Sequence, residues 1–234
     1  MCQFKSAIVV QDEKCKGGFR LLMSPWTESH SELCTIFKLN DSAKARLYFA
    51  RVEFTPESLD KAYLPETYKL RIDEERTPDW FTDEIKELVT ERMRDYIKSI
   101  IVLGDVELLI GGQFVIAPTA KISSAHSMVL NVICGGTVNA ICGGTVNEIR
   151  GGTVNAIRGG TVNEIWGGTV NEIWGGTVNA IRGGMVNAIC GGTVNEICGG
   201  TVNEIWEFFE GLIGRVGGYA TIVKDNRPTK SNNK

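Results

Sequence analysis

Histidine is almost missing from this chain: of 234 residues only His30 and His126 are histidine, and they lie far apart in sequence. That leaves little for general acid–base chemistry, and each reads as a surface or capping residue rather than a base. Paired thiols are missing as well. The seven cysteines are an odd number, Cys134, Cys142, Cys190 and Cys198 share one repeat position, and none forms the Cys-x-x-Cys pair that holds structural zinc, so a reducing cytosol is expected. There is no excess of positive charge. A formal net charge of -3 and a pI near 5.6 disfavour the phosphate neutralisation that drives non-specific nucleic-acid binding. The N-terminal apolar run is too short for a secretory signal, and no segment approaches the ~20 apolar residues that cross a bilayer. The expected location is the cytoplasm, that of the host cell if the gene is a phage's.

What the chain has in abundance is a repeat. From Gly135 to Trp206, nine consecutive octads read Gly-Gly-Thr-Val-Asn-(Ala/Glu)-Ile-(Cys/Arg/Trp), with Met185 the one departure at the third place. Two adjacent glycines in every eight residues, each costing about 1 kcal/mol against alanine, exclude a helix. Stacked short strands fit instead. Val and Ile sit three apart, so an uninterrupted strand would point them to opposite faces; a bend at Asn-(Ala/Glu) turns both inward, and the Gly-Gly pair makes the second bend. At about 3.3 Å per residue one octad encloses almost nothing, so a coil is expected to use two octads, with three octads the alternative. Asn at every fifth place suits a ladder of side-chain amides running from coil to coil.

The phase extends beyond the regular copies. Counting back in eights places Gly111-Gly112 in phase with Gly135-Gly136, and the degenerate octads between them keep apolar residues at the fourth place (Phe114, Ile122, Leu130) and the seventh (Ala117, Ala125, Ile133). Val106 and Leu109 continue the pattern, so the phase runs from about Leu103. After Trp206 the frame breaks, and Gly217-Gly218-Tyr219-Ala220-Thr221-Ile222-Val223 returns two residues late. Phe208, Phe209, Leu212, Ile213 and Tyr219 are expected to cap the open core, and the polar stretch 224–234 to be disordered.

Before the array the chain reads as an α+β domain. Strands are expected at Ala7–Val10, Phe19–Met23, Cys34–Leu39, Leu47–Phe54 and Tyr68–Ile72, punctuated by Pro25, Pro56, Pro65 and Pro78. One long helix follows Arg76, capped by Thr77 or Thr82. Its apolar stripe is Phe81, Ile85, Leu88, Val89, Met93, Tyr96, Ile97 and Ile100, opposite a solvated face of Lys86, Glu87, Glu91, Arg92, Arg94 and Lys98. The expected fold is therefore mainly β: an N-terminal α+β capping domain (1–105), a parallel β-solenoid of octapeptide repeats (106–206), a C-terminal cap (207–223) and a tail (224–234).

Function is sought where the octad varies. Six places build the coil; the eighth carries Arg150, Arg158, Trp166, Trp174, Arg182 and Trp206 among its cysteines, and the sixth alternates Ala with Glu148, Glu164, Glu172, Glu196 and Glu204. Single-base codon changes connect these residues, so drift in an expanded DNA repeat accounts for the same variation. Trp and Arg are also the residues most enriched at binding hot spots. Arg150, Arg158, Trp166, Trp174, Arg182, Trp206, Glu148, Glu164 and Glu172 are accordingly the candidate partner-binding face. Ser31 to Cys34 and Asp73-Glu74-Glu75 lack the spacing of a nucleophile or acid pair, and no catalytic residue, cofactor or metal site is expected.

The array resembles the uncharacterised Gly-Gly-Thr-x-x-x-Ile octapeptide-repeat proteins of bacteria and phage, a resemblance that implies the β-solenoid and no particular activity. The octads contain no Asp, unlike calcium-binding nonapeptide solenoids, and their period departs from the six of hexapeptide acyltransferases. The expected function is a non-enzymatic binding protein for a protein partner, for example a phage-encoded inhibitor of a host system. The alternatives are a self-assembling, oligomeric solenoid scaffold and an ice-binding surface of Thr and Asn rows.

Overall fold

A computed structural model describes residues 5–40, 45–206 and 212–227. The chain forms two compact units that divide between Ile100 and Ile101.

In the first unit β1 (Lys5–Gln11), β2 (Phe19–Leu22), β3 (Phe49–Pro56) and β4 (Tyr68–Ile72) make an antiparallel sheet in the order β2-β1-β3-β4. Of the segment Cys34–Leu39, expected as a strand, Cys34 to Ile36 end a helix, α1 (His30–Ile36), and Phe37 to Leu39 follow it in a turn. Its signal was a capping one: the Ser29 hydroxyl accepts the Glu32 amide, and His30, Leu33 and Cys34 fall at helical spacing and are buried. Leu33 and Cys34 join Ile8 and Phe49 in one core cluster. Leu47 and Tyr48, expected to begin a strand, lie exposed in a 3-10 turn before β3.

The long helix α2 (Asp83–Ile100) starts after Thr82, whose hydroxyl accepts the Ile85 amide. Val89, Met93, Ile97 and Ile100 are buried as the stripe required, whereas Leu88 is exposed. Arg92, placed on the solvated face by its position, bends back over the Phe19 ring at 4.4 Å and donates to the Phe19 carbonyl. Beneath the sheet, Lys5 is fully buried, donating to the Ser24 carbonyl (2.6 Å) and to Glu28 (3.0 Å), and its pKa is lowered by desolvation.

The second unit is a parallel β-solenoid. It opens with β5 (Ile101–Val102), β6 (Asp105–Ile110), β7 (Gln113–Ile116), β8 (Lys121–His126) and β9 (Val129–Ile133). Strands β10 to β16 follow at eight-residue intervals from Thr137–Ile141 to Met185–Ile189. The unit closes with β17 (Thr193–Ile205) and β18 (Leu212–Asp225). Every regular strand pairs with the strand two octads away, Thr137 with Thr153 and Ile141 with Ile157, so one coil is sixteen residues. Odd and even strands form separate stacks that meet only in β17, which pairs with β15 through one half and β16 through the other.

Both inward columns are complete: each Val at the fourth place and each Ile at the seventh is 0% exposed across the regular octads. The register skips the Asn between them, where the pleat is reset, as the three-residue spacing demanded. From Asn155 to Asn203 each Asn amide donates to the Asn one coil below, as in Asn171 to Asn155 at 2.8 Å and Asn187 to Asn171 at 2.8 Å. The ladder ends differently near its start: Gln113 donates to Asn131, whose own amide nitrogen is buried without a partner.

The two glycines of an octad are required for different reasons. The second has positive φ, +75° at Gly176. At the first, a side chain would run into the coil below, a Cβ on Gly175 lying 2.7 Å from the Arg158 carbonyl oxygen.

The degenerate octads depart in detail. In β7 one residue fewer opposes β9, so Ile116 pairs with Ile133 and enters the solenoid core in place of Ala117, while Phe114 is only partly buried. At the far end the frame slips by three residues as far as Val216 and by four from Tyr219, rather than by two. Thr221 pairs with Thr201 and Ile222 with Val202, so Tyr219 and Ala220 occupy the Gly-Gly place and Gly217-Gly218 falls in a bulge. The reason is inward packing: this register turns Ile213, Ala220 and Ile222 onto the core. Leu212 and Tyr219, expected to cap it, are exposed, Tyr219 at 92%. Phe208 and Phe209 lie outside the described residues. Residues 224–227, expected to begin a disordered tail, are ordered: Lys224 and Asp225 end β18, and Arg227 pairs with Asp225. The rest of that tail lies outside the described residues. No helix among the described residues is long and apolar enough to cross a membrane.

Candidate functional site

Because a coil takes two octads, the nine candidate residues fall into two columns. Glu148, Arg150, Glu164, Trp166 and Arg182 share one stack; Arg158, Glu172, Trp174 and Trp206 share the other.

The first column is neutralised internally. The Trp166 indole lies between two guanidiniums, with Arg150 at 5.5 Å and Arg182 at 5.3 Å from a ring of Trp166. Glu164 clamps the arrangement, accepting the Trp166 indole N–H at 2.6 Å and Arg182 Nε at 2.8 Å. Glu148 accepts Arg150 Nε at 2.6 Å. The sixth place decides these pairings. Arg150 has a glutamate in its own octad, whereas Arg182 has Ala180 there and reaches one coil down to Glu164.

The second column is built otherwise. Trp174 and Trp206 meet edge to face at 5.1 Å, and the Trp174 indole N–H is held by Glu172 at 2.6 Å. Cys190 stands between them in the stack, its thiol pushed up to about 11 by burial and then by Glu172 and Glu204. It stays protonated and unreactive at neutral pH. Arg158 has Ala156 in its own octad and Ala140 one coil below, and Glu172 one coil above holds the Trp174 indole instead. It is exposed and makes no ion pair among the described residues. Trp166, Trp174 and Trp206 are 44%, 46% and 38% exposed.

The chain matches no family model, no curated protein and no solved structure. The columns therefore have to be read from their own chemistry.

Two features were not visible in the sequence. The last coil returns basic residues to the sixth place, Arg215 against Glu196 and Lys224 against Glu204. The Glu196 carboxyl is held below its ordinary range by the Cys198 thiol and by Arg215, and that of Glu204 by Lys224 and Asn226. The slip, three residues at Arg215 and four at Lys224, hid this alignment.

The second feature lies in the N-terminal unit. His30, expected as a surface or capping residue, is 4% exposed at the start of α1; its Nδ1 lies 2.9 Å from Asp73 Oδ2 and its Nε2 3.1 Å from the Val52 carbonyl oxygen. The Glu53 carboxylate joins them, and one ligand-type atom from each of His30, Glu53 and Asp73 lies within 4.8 Å of the others. These residues are 20 or more positions apart except through the sheet and α1, so spacing gave no sign of them.

Proposed function

We propose that the solenoid is a non-enzymatic scaffold that holds a protein partner against the column of Arg158, Trp174 and Trp206. The supporting observation is the exposed Arg158 guanidinium, which makes no ion pair among the described residues and shares its column with two half-exposed indoles that meet edge to face, Trp174 being held by Glu172. A rigid backbone and pre-set rotamers lower the ordering cost of association, and Trp with Arg is the usual composition of a binding hot spot. A carboxylate next to an apolar side chain on the partner is the complementary surface. The first column, with its charges already paired, contributes shape and apolar area more than attraction.

The test compares two triple variants of the full chain in capture from the native host, read by mass spectrometry. R158A/W174A/W206A is expected to lose the captured partner with an unchanged denaturation midpoint, and R150A/W166A/R182A to retain most of it. Equal capture by wild type and both variants overturns the reading.

A second reading, self-association, is favoured by β18. This 14-residue strand has one neighbour, β17, among the described residues, and exposes Leu212, Val216, Tyr219 and Val223. An apolar strand edge of that length is a template for further strands. Sedimentation should then show concentration-dependent dimers that V216K and Y219K together abolish. A monomer at the highest attainable concentration removes this reading.

A further inference from the structure

We infer that His30, Glu53 and Asp73 form a site for a divalent cation bound by one imidazole nitrogen and two carboxylates. A carbonyl oxygen only accepts, so the Nε2 facing Val52 carries a proton. In the neutral imidazole Nδ1 then presents a lone pair, and it faces Asp73 Oδ2 at 2.9 Å. Two acceptors at that distance repel unless positive charge lies between them. That distance is also the spacing of two adjacent ligands held about 2.0–2.2 Å from a common small ion. The donation from the far ring nitrogen to a backbone carbonyl is the usual means of fixing a ligating histidine's tautomer.

Glu53 supplies an independent observation. It is 6% exposed on β3, one strand in from the edge, and makes no hydrogen bond or ion pair among the described residues. Its cross-strand neighbour Arg71 is the natural counter-ion, yet Arg71 is exposed and does not pair with it. The nearby Arg51 is engaged with Glu74. A carboxylate on a largely buried residue with no cation beside it among the described residues is costly, and a cation between it, Asp73 and His30 Nδ1 lowers that cost. Asp73 is half-exposed at the rim, which provides an entry path. One nitrogen and two carboxylate oxygens suit Mn2+ or Zn2+ rather than a soft, thiolate-seeking ion.

The probe is Mn2+, which avoids the chain's cysteines, and the readout is its paramagnetic broadening of the imidazole proton resonances in the full chain. With two histidines, the spectrum contains its own control. Substoichiometric Mn2+ is expected to broaden His30 and spare His126, with one ion bound per chain. E53Q and D73N are each expected to weaken binding at least as much as the roughly 10- to 100-fold that losing an outer-shell partner costs. D73N, isosteric and at the exposed rim, keeps the test decisive if E53Q does not fold. Absence of bound Mn2+, or binding that survives both substitutions, overturns the inference; a proton on His30 then supplies the positive charge.

Discussion

Gly176→Ala is expected to destabilise the solenoid by about 2–4 kcal/mol, combining the left-handed backbone penalty with a steric one. Gly176 has φ +75°, and a Cβ there would lie 2.5 Å from the Gly160 carbonyl oxygen and 2.8 Å from the Gly159 carbonyl carbon. Both obstacles are backbone, which cannot rotate aside. Relief would require the coils to separate, and separation would break the ladder bonds that cross the corner, such as Thr177 N to Gly160 O at 2.9 Å. The control is Gly104→Ala, where nothing lies within 4 Å and φ is not in the left-handed region. Urea unfolding followed by far-UV circular dichroism should show a large fall in midpoint for the first and almost none for the second. Equal midpoints would mean that the coils do not approach as closely as described.

Ile173→Ala should cost about 2–5 kcal/mol, the range for truncating a buried isoleucine in a core that relaxes only partly. Ile173 is 0% exposed and stands in a single-file column between Ile157 and Ile189, so its neighbours cannot close the gap without shifting their own coils. In a repeat array each coil is stabilised mainly by the two beside it, and a defect in the middle weakens coupling between the halves. The urea slope is therefore expected to fall along with the midpoint, because the halves begin to unfold separately. Leu212→Ala on the exposed side of β18 should stay within about 0.5 kcal/mol of wild type. A comparable loss at Leu212 would place that residue in a core.

The candidate binding columns follow the same division between what is repeated and what is not. Arg150 and Arg158 each end an octad, and they are distinguished by the sixth place of their own octad and of the coils beside it. Glu148 neutralises one, while Ala156 and Ala140 leave the other exposed. Reading the pairings required the sixteen-residue coil. With three octads per coil the same residues would have met different partners. The helix α1 was missed for a different reason. Its apolar residues suited a strand, and the Ser29 cap, which decides for the helix, is a local hydrogen bond that pattern alone weighs lightly.

By itself the amino-acid sequence determined the period, the inward Val and Ile, the Asn ladder and the need for two glycines. Each is imposed on every copy by pleat geometry, amide pairing or backbone sterics, so repetition makes it legible. The tertiary structure alone decided which eighth-place residues share a column, how the last coil slips by three residues and then four, and that His30, Glu53 and Asp73 converge. These depend on contacts between residues 16 or more positions apart, where energy is set by what lies across the coil or sheet and not by what comes next in the chain.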